Sequence, residues 1–531
     1  MPKVTIDGAE MEVPAGTTIL QAAQARGREI PHYCYHPGLS IAGNCRMCLV
    51  EVEKQPKLVI GCYTPVTEGM VVHTASDKVK DARAAMMEFF LINHPLDCPI
   101  CDQAGECRLQ EYAVEHGDGK SRYTEPKLAL SKAVDIGRHV TLDQERCIQC
   151  SRCIRFCDEV TKTGELGFFE RGERSQIGIF PGKRLDNPYS GNVVDLCPVG
   201  ALTLKEFRFQ TRVWYLKNTP TVCAGCARGC NVVAAVGQQQ TMMTTRGQQD
   251  DRVKRLVPRV NEEVNGHWMC DEGRLSYALE RGAVRLEAAR VGGTDASYDA
   301  AVREAASMLR SAASSGSLGV IASPRLVSED LFAWKRIADA LGGAAFGVRA
   351  LVRGQDDALL IRADKGANAL GASWIFGAGA TEASVRHAIA SGRVTTLLVL
   401  GDPLDPSDTA ALDQASRGRV DVLFAGPFVS GAAVEARIAL PTASWSETDG
   451  TFVNFEGRAQ RVRRCHMPWG ESRPGWRVAA DLAVSAGAGL PSWDSAESVL
   501  GDLAASVSAY EGVRNEAMGL LGVPTLRPAG V

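Results

Sequence analysis

The sequence has no uncharged apolar run approaching the roughly 20 residues that cross a bilayer, which excludes a membrane-spanning helix. Its opening, Met1-Pro-Lys-Val-Thr-Ile-Asp-Gly-Ala-Glu10, lacks a basic start followed by an apolar stretch, so no signal peptide is expected. A formal net charge of only -3 and a pI near 6.4 exclude the basic face of a nucleic-acid binder. Serine, histidine and an acid nowhere fall into a pattern expected of a hydrolase. The lone GxG at Gly377-Ala-Gly379 reads as an ordinary turn rather than a dinucleotide loop. No flavin or nicotinamide pocket is legible. Cysteine is scarce in one place only: beyond Cys270 the chain has Cys465 alone. A chain of 531 residues should hold roughly three to four domains, and this one is expected to be soluble and cytoplasmic.

What is present in excess is cysteine in the first half. Sixteen of the 17 cysteines lie at or before residue 270, in tight CxxC groups, and in a cytosolic chain this points to metal ligation rather than disulfides. The strongest signal is Cys147-Ile-Gln-Cys150-Ser-Arg-Cys153-Ile-Arg-Phe-Cys157, answered by Cys197-Pro198. Three thiolates at this spacing wrap one corner of a metal-sulfur cube, and a distant Cys-Pro closes it, the bacterial ferredoxin pattern for [4Fe-4S]. Because no second CxxCxxC triplet precedes Cys197, one of Cys157 and Cys197 is spare. The Cys197-Pro-Val-Gly-Ala201 turn matches the ferredoxin closing turn, which assigns Cys197 as the ligand and Cys157 as a buried free thiol. Arg152 and Arg155, interleaved with the ligands, either offset cluster charge or are solvated.

Earlier in the chain, Lys3–Ile6 and Glu10–Val13 alternate around Asp7-Gly8 as a hairpin, and Thr18–Arg26 reads as a helix stopped by Gly27. A loop with Cys34, Cys45, Cys48 and Cys62 follows. The four thiolates permit zinc or a [2Fe-2S] cluster, and the β-grasp prologue and the downstream ferredoxin run favour [2Fe-2S]. A helix is expected over residues 76–93, with Val79, Ala82, Met86 and Phe89 or Phe90 facing the core. It delivers His94, then Cys98, Cys101 and Cys107, an HxxxCxxCxxxxxC pattern compatible with zinc or with a [4Fe-4S] cube in which imidazole replaces one thiolate. Residues 105–116 read as a short helix and 118–132 as a covering loop. A fourth set, Cys223, Cys226, Cys230 and Cys270, again permits zinc or [4Fe-4S], its long gap reading as a lengthened hairpin with Gly237–Gln240 and Gly247–Asp251 near the tip. Four sites of four ligands use 15 cysteines and His94, leaving Cys157 and Cys465 over.

Beyond Arg274 the texture becomes Ala/Gly-rich α/β. Leu318–Ala322, Thr396–Gly401 and Val420–Ala425 read as buried parallel strands, with helices at 328–341 and 380–391 as crossovers. Leu440–Glu447 and Gly450–Arg458, rich in polar groups around glycine, read either as the lining of a pterin-like pocket or as a loop network.

The order of these four sets, and the His94–Cys107 block above all, strongly resembles the large iron-sulfur subunit of respiratory complex I, the 75 kDa iron-sulfur subunit family of NADH-quinone oxidoreductase. The resemblance covers nearly the whole chain. It implies a β-grasp [2Fe-2S] domain (1–78), a histidine-plus-three-cysteine [4Fe-4S] segment (79–120), a [4Fe-4S] ferredoxin-like domain (138–210), a further [4Fe-4S] domain (216–273) and a shortened molybdopterin-oxidoreductase-like α/β domain (274–531). The Cys230–Cys270 gap is longer, and the back domain shorter, than the family pattern.

The implied cofactors are one [2Fe-2S] and two to three [4Fe-4S] clusters, the Cys223 cluster occurring in only some members, with no flavin and no functional molybdopterin. The implied activity is electron relay within NADH:quinone oxidoreductase. Electrons from a flavin/NADH-binding subunit would pass the [2Fe-2S], Cys147 and His94 centres to the next iron-sulfur subunit. The chain would sit on the cytoplasmic side of the inner membrane, attached through partners. The alternative is an electron-transfer subunit of a soluble NAD-linked formate dehydrogenase or hydrogenase, whose added chemistry the cysteine-poor back half lacks.

Overall fold

The computed structural model describes residues 1–238, 252–282, 284–401, 420–429 and 431–526. It divides into two compact units, Met1–Leu216 and Lys217–Val531.

In the first unit, Lys3–Ile6 and Ala9–Glu12 pair antiparallel, with Lys3 opposite Glu12. The turn between them takes the left-handed conformation at both Asp7 and Gly8, as the Asp-Gly pair anticipates. Lys3–Ile6 also pairs in parallel with Met70–His73, and the five-stranded sheet is completed by Leu49–Val52 and Val59–Ile60. The helix Ile19–Ala25 starts at Thr18, whose side chain accepts from Gln21 N while Gln21 reaches back to the Thr18 N–H. Its buried Ile19, Leu20, Ala22 and Ala23 join Val4, Ile6, Val50 and Val72 in one core. The expected loop at 118–132 has neither helix nor strand, and it is tied to the helix Asp77–Leu91 by Arg122 on Glu88 and by Lys127 Nζ on the Leu91 and Ile92 carbonyls.

Two details differ from the sequence reading. The helix Asp77–Leu91 buries Val79, Arg83 and Met87, and turns Phe90 onto Tyr33, while Phe89 is exposed. The buried stripe therefore runs i, i+4, i+8 through an arginine, because Arg83 lays its stem on the core and donates to the Leu49 carbonyl. The next helix is Arg108–His116, not 105–116, since Gly105 adopts a left-handed φ of 91° against Val213 and Trp214.

In the second unit, Leu216–Val222, Asn231–Gly237 and Val253–Pro258 form a three-stranded sheet in that order, the last two antiparallel. The last two strands are the arms of the expected hairpin, and its tip at 239–251 lies outside the described residues. Among the described residues a seven-stranded sheet then runs Thr294–Asp295, Arg290–Val291, Ile438–Pro441, Asp421–Gly426, Thr396–Leu400, Leu318–Ala322, Ala345–Val348. The last five pair in parallel. Both faces are covered, so the strands read as unbroken apolar runs: Leu398 and Leu400 enter one core, Leu397 and Val399 the other. The helices Ser328–Leu341 and Glu382–Ala390 stand where crossovers were expected, and Gly377, φ 94°, is the turn residue after Ala369–Phe376.

The Leu440–Arg458 segment is a closed polar network. Ser444, Ser446, Glu447, Thr451 and Asn454 are all buried, and a Cβ at Gly450 would lie 2.6 Å from Val327 Cβ. Thr451 N and Oγ1 each donate to Glu329 at 2.7 Å, and Trp476 N donates to Asp330 at 2.7 Å. The segment thus packs on residues 327–330, while Glu447 also lines a cavity with Arg252, Glu280, Arg285 and His466.

Burial pushes the Glu329 and Asp330 carboxyls up to about 7. Both folded-state values lie above those of the unfolded chain, so the folded protein holds these protons more tightly. Their contribution is complete below about pH 4 and is lost as pH rises through 7. Stability is expected to fall by about 3–4 kcal/mol per group over that window. Thermal melts of Glu329→Gln against pH should show a flatter decline than the parent.

Candidate metal centres

The loop after the first helix gathers Cys34, Cys45, Cys48 and Cys62, all buried. Cys34 lies within hydrogen-bond reach of Cys45 and Cys62, and Cys62 of Cys48. The Tyr33 and Cys34 N–H groups point at Cys45 Sγ at 3.4 and 3.5 Å. Left-handed Gly43 and Arg46 bend the backbone around the thiols.

Cys147, Cys150, Cys153 and Cys197 line one cavity together with Leu142, Ile148, Ile177, Val199 and Leu202. Burial pushes the Cys147 and Cys197 thiols up to about 12. Backbone N–H groups oppose that cost: Gln149 N faces Cys147 at 3.4 Å, and Val199, Ala201 and Leu202 face Cys197. A nest of buried thiols ringed by N–H donors suits sulfur that is deprotonated by a metal. Gln149 and Ser151 are both left-handed without being glycine, a backbone cost of order 1–3 kcal/mol each that is held at the tip of this loop. Cys157 is not in the cavity. It sits in the single π-helical turn Phe156–Val160 and bonds Glu165.

Cys98, Cys101 and Cys107 interact with one another, Cys98 being exposed. Gln103 N–H faces Cys101, and Leu109 and Gln110 N–H face Cys107. His94 stands just beyond the helix end, near Lys127, Arg146, Asp97 and Asp143; burial, with help from Lys127 and Arg146, brings its pKa down to about 4. The imidazole is therefore neutral at physiological pH, the form that can ligate.

Cys223, Cys226, Cys230 and Cys270 line a second cavity with Gly225, Gly273, Leu360 and Ile361. The long gap does not separate Cys270 from the others, because the hairpin arms return the chain to its start: Val232 pairs with Pro258, and Arg259 N donates to Asn231 O at 2.9 Å. Cys270 caps a short helix, accepting from Gly273 N at 3.3 Å, and a Cβ at Gly273 would lie 3.0 Å from Cys223 Sγ. Cys465 is buried elsewhere in this unit, its Sγ on Arg463 O.

Among the described residues no three His, Cys, Asp or Glu side chains converge closely enough to hold a single metal ion. In the Cys147 and Cys223 sets the thiols frame cavities instead. The chain's segments match known iron-sulfur domains. Residues 2–77 match the 2Fe-2S iron-sulfur cluster binding domain, and 83–122 the NADH-ubiquinone oxidoreductase-G iron-sulfur binding region. Residues 137–203 match the NADH-quinone oxidoreductase subunit 3, ferredoxin-like domain, and 227–278 the NADH-ubiquinone oxidoreductase NDSU1/NuoG-like, 4Fe-4S domain. The G subunit of NADH-quinone oxidoreductase from Rickettsia felis is 42% identical over 351 residues, 66% of this chain and 50% of that protein. The chain belongs to the family of NADH-quinone oxidoreductase G subunits.

Within that family the likeness extends to mitochondria. The NADH-ubiquinone oxidoreductase 78 kDa subunit of Candida albicans is 41% identical over 64% of this chain and 46% of its own length. The chain spans about half the length of the curated relatives it matches. Residues 377–484 match molybdopterin oxidoreductase, so this member of the family carries one [2Fe-2S] domain, [4Fe-4S] domains and a molybdopterin-type α/β domain.

One residue in the chain escaped the sequence reading, and two that it named have further partners. Gly200, three residues after Cys197, has no room for a side chain: a Cβ there would lie 2.3 Å from Cys101 Sγ. With Arg108 N on Pro198 O at 3.2 Å, it seats the Cys98–Cys107 segment on the Cys197 turn. The other two are Arg152 and Arg155, both bonded to carbonyls of the Cys34 loop. Arg155 Nη2 donates to Cys34 O at 2.5 Å and Nη1 to Ser40 O, while Arg152 reaches both Leu196 O and Tyr35 O. Their only signal in the sequence was position, one on each side of Cys153.

Proposed function

We propose that this chain is the iron-sulfur electron-transfer subunit of the peripheral arm of a proton-pumping NADH:quinone oxidoreductase. The ligands are Cys34, Cys45, Cys48 and Cys62 for [2Fe-2S], and His94, Cys98, Cys101 and Cys107 for one [4Fe-4S]. Cys147, Cys150, Cys153 and Cys197 hold a second, and Cys223, Cys226, Cys230 and Cys270 a third. Each cluster supplies one-electron transfer when bound.

The observation that carries the reading is contact between successive ligand sets inside one unit. Arg155 of the Cys147 run donates to the carbonyl of Cys34, and Gly200 of the Cys197 turn touches Cys101. These contacts support the order [2Fe-2S], Cys147 set, His94 set. The residues' own work is to hold the sulfurs, keep water out with Leu142, Ile177, Val199 and Leu202, and keep the sets close.

Electrons enter from a flavin/NADH-binding subunit and leave to a downstream iron-sulfur subunit. The Cys223 set lies off this line. The division into 1–78, 79–120, 138–210, 216–273 and 274–531 goes with this reading, the last part serving as a scaffold without a molybdopterin. No described helix is long and apolar enough to cross a membrane, so attachment to the cytoplasmic face of the inner membrane is through the complex.

Metal analysis of anaerobically prepared chain tests the assignment. About 14 iron atoms per chain are expected, or about 10 if the Cys223 set is empty. Zinc near four per chain with little iron overturns it.

A further inference from the structure

Arg152 occupies a singular position between two ligand sets. It follows Ser151 inside the Cys147 run and lines the same cavity as Cys147, Cys150, Cys153 and Cys197. Its Nη1 donates to the carbonyl of Leu196, the residue before Cys197, at 3.1 Å. Its Nη2 donates to the carbonyl of Tyr35, the residue after Cys34. One planar guanidinium thus joins the backbone beside a ligand of each set, and its charge is felt by Cys34, Cys150 and Cys197 together. Its Nε–H is buried with no hydrogen-bond partner among the described residues. An orphaned N–H of a cation costs more than a neutral one; other buried arginine Nε groups share this condition, and Arg152 is the arginine among them that lines the Cys147 cavity. Its two Nη groups are fixed by carbonyls, so the guanidinium is not free to turn Nε towards water.

We propose that Arg152 is a positioning residue that donates its Nε–H to a sulfur of the centre held by Cys147, Cys150, Cys153 and Cys197, raising that centre's reduction potential and fastening it to the Cys34 loop. The inference rests on the electron-relay reading. A cation and a hydrogen bond both favour the more negative, reduced state of a cluster, so both act in one direction on the potential. Arg155 cannot substitute, because its Nε already donates to Ser151 Oγ at 3.2 Å and its two Nη groups are spent on Cys34, Cys150 and Ser40 carbonyls. Lysine at 152 would keep the charge but could not hold three acceptors in one plane.

The test is a redox titration of the anaerobically purified full chain followed by EPR, with Cys197→Ala identifying the signal of the Cys147 set. Arg152→Met is expected to lower that centre's equilibrium constant for reduction about tenfold, ~59 mV for a one-electron couple. The His94 centre should not move. Arg152→Lys should recover part of the shift. An unmoved potential in Arg152→Met with full iron overturns the proposal. Should Arg152→Met lose iron, Arg152→Gln takes its place, with the same fall expected and an unmoved potential again contrary. A parent chain showing no reducible iron-sulfur signal overturns the relay reading instead.

Discussion

Cys197→Ala is expected to cost the purified chain about four iron atoms, whereas Cys157→Ala is expected to cost none. Both cysteines sit at distances from the CxxCxxC triplet that could close a cube, and the geometry separates them. Cys197 lines the triplet's cavity, with the N–H groups of Val199, Ala201 and Leu202 turned towards its sulfur. Cys157 points instead to Glu165, whose carboxylate also accepts from Asn187 Nδ2 at 3.0 Å, and the carboxylate and burial together push its thiol up. A thiol held that way is poorly disposed to become a ligand. The Cys197→Ala loss should extend to electron transfer, because the Cys147 set stands between the other two sets of the first unit. Iron analysis and the EPR spectrum of the reduced chain check both statements; equal iron in the two variants would mean that Cys157 closes the site.

Arg285→Met should destabilise the second unit by about 3–5 kcal/mol, the usual effect of removing one partner from a buried ion pair. Arg285 Nη2 lies 2.7 Å from Glu447 Oε2, with side chains 9% and 3% exposed. The arginine also stands over the Phe428 ring, and Glu280 lies close enough to feel both Arg285 and Glu447. Removing it takes away the guanidinium that pairs with Glu447 and leaves Glu280 and Glu447 facing each other beside Ser444 and Ser446. Amide exchange in strand Asp421–Gly426, beside the Ile438–Pro441 strand that leads into this network, is expected to accelerate by about two to three orders of magnitude. Adding Glu447→Gln should restore part of the loss. Unchanged exchange in the single variant would show that the pair contributes nothing to this unit.

Local rules made much of the fold legible. The Asp7-Gly8 turn, the Thr18 cap and the strands at 318–322 and 396–400 each depend on a few neighbouring residues, and each is where those residues place it. The helix after Ser76 was legible as a helix but not in its buried face, because an arginine on the core side is invisible to apolar periodicity. The site was legible as spacing. Cys270 lies forty residues from Cys230, and only the antiparallel pairing of Asn231–Gly237 with Val253–Pro258 brings it back. What could not be read was contact between sets. The Gly200–Cys101 approach and the Arg152 and Arg155 bridges join residues about 100 to 120 positions apart, and no local pattern encodes them. His94 was found by counting ligands, and the fold leaves it neutral among Lys127, Arg146, Asp97 and Asp143.

The central claim is that the chain carries electrons, and the most direct measurement is a stepwise anaerobic reduction of the full chain, counting electrons taken up while recording EPR. The account predicts three to four one-electron steps, one with a [2Fe-2S] signal and the others with [4Fe-4S] signals, the number depending on whether the Cys223 set is filled. A chain that takes up no electrons and contains zinc in its cysteine sets would contradict it.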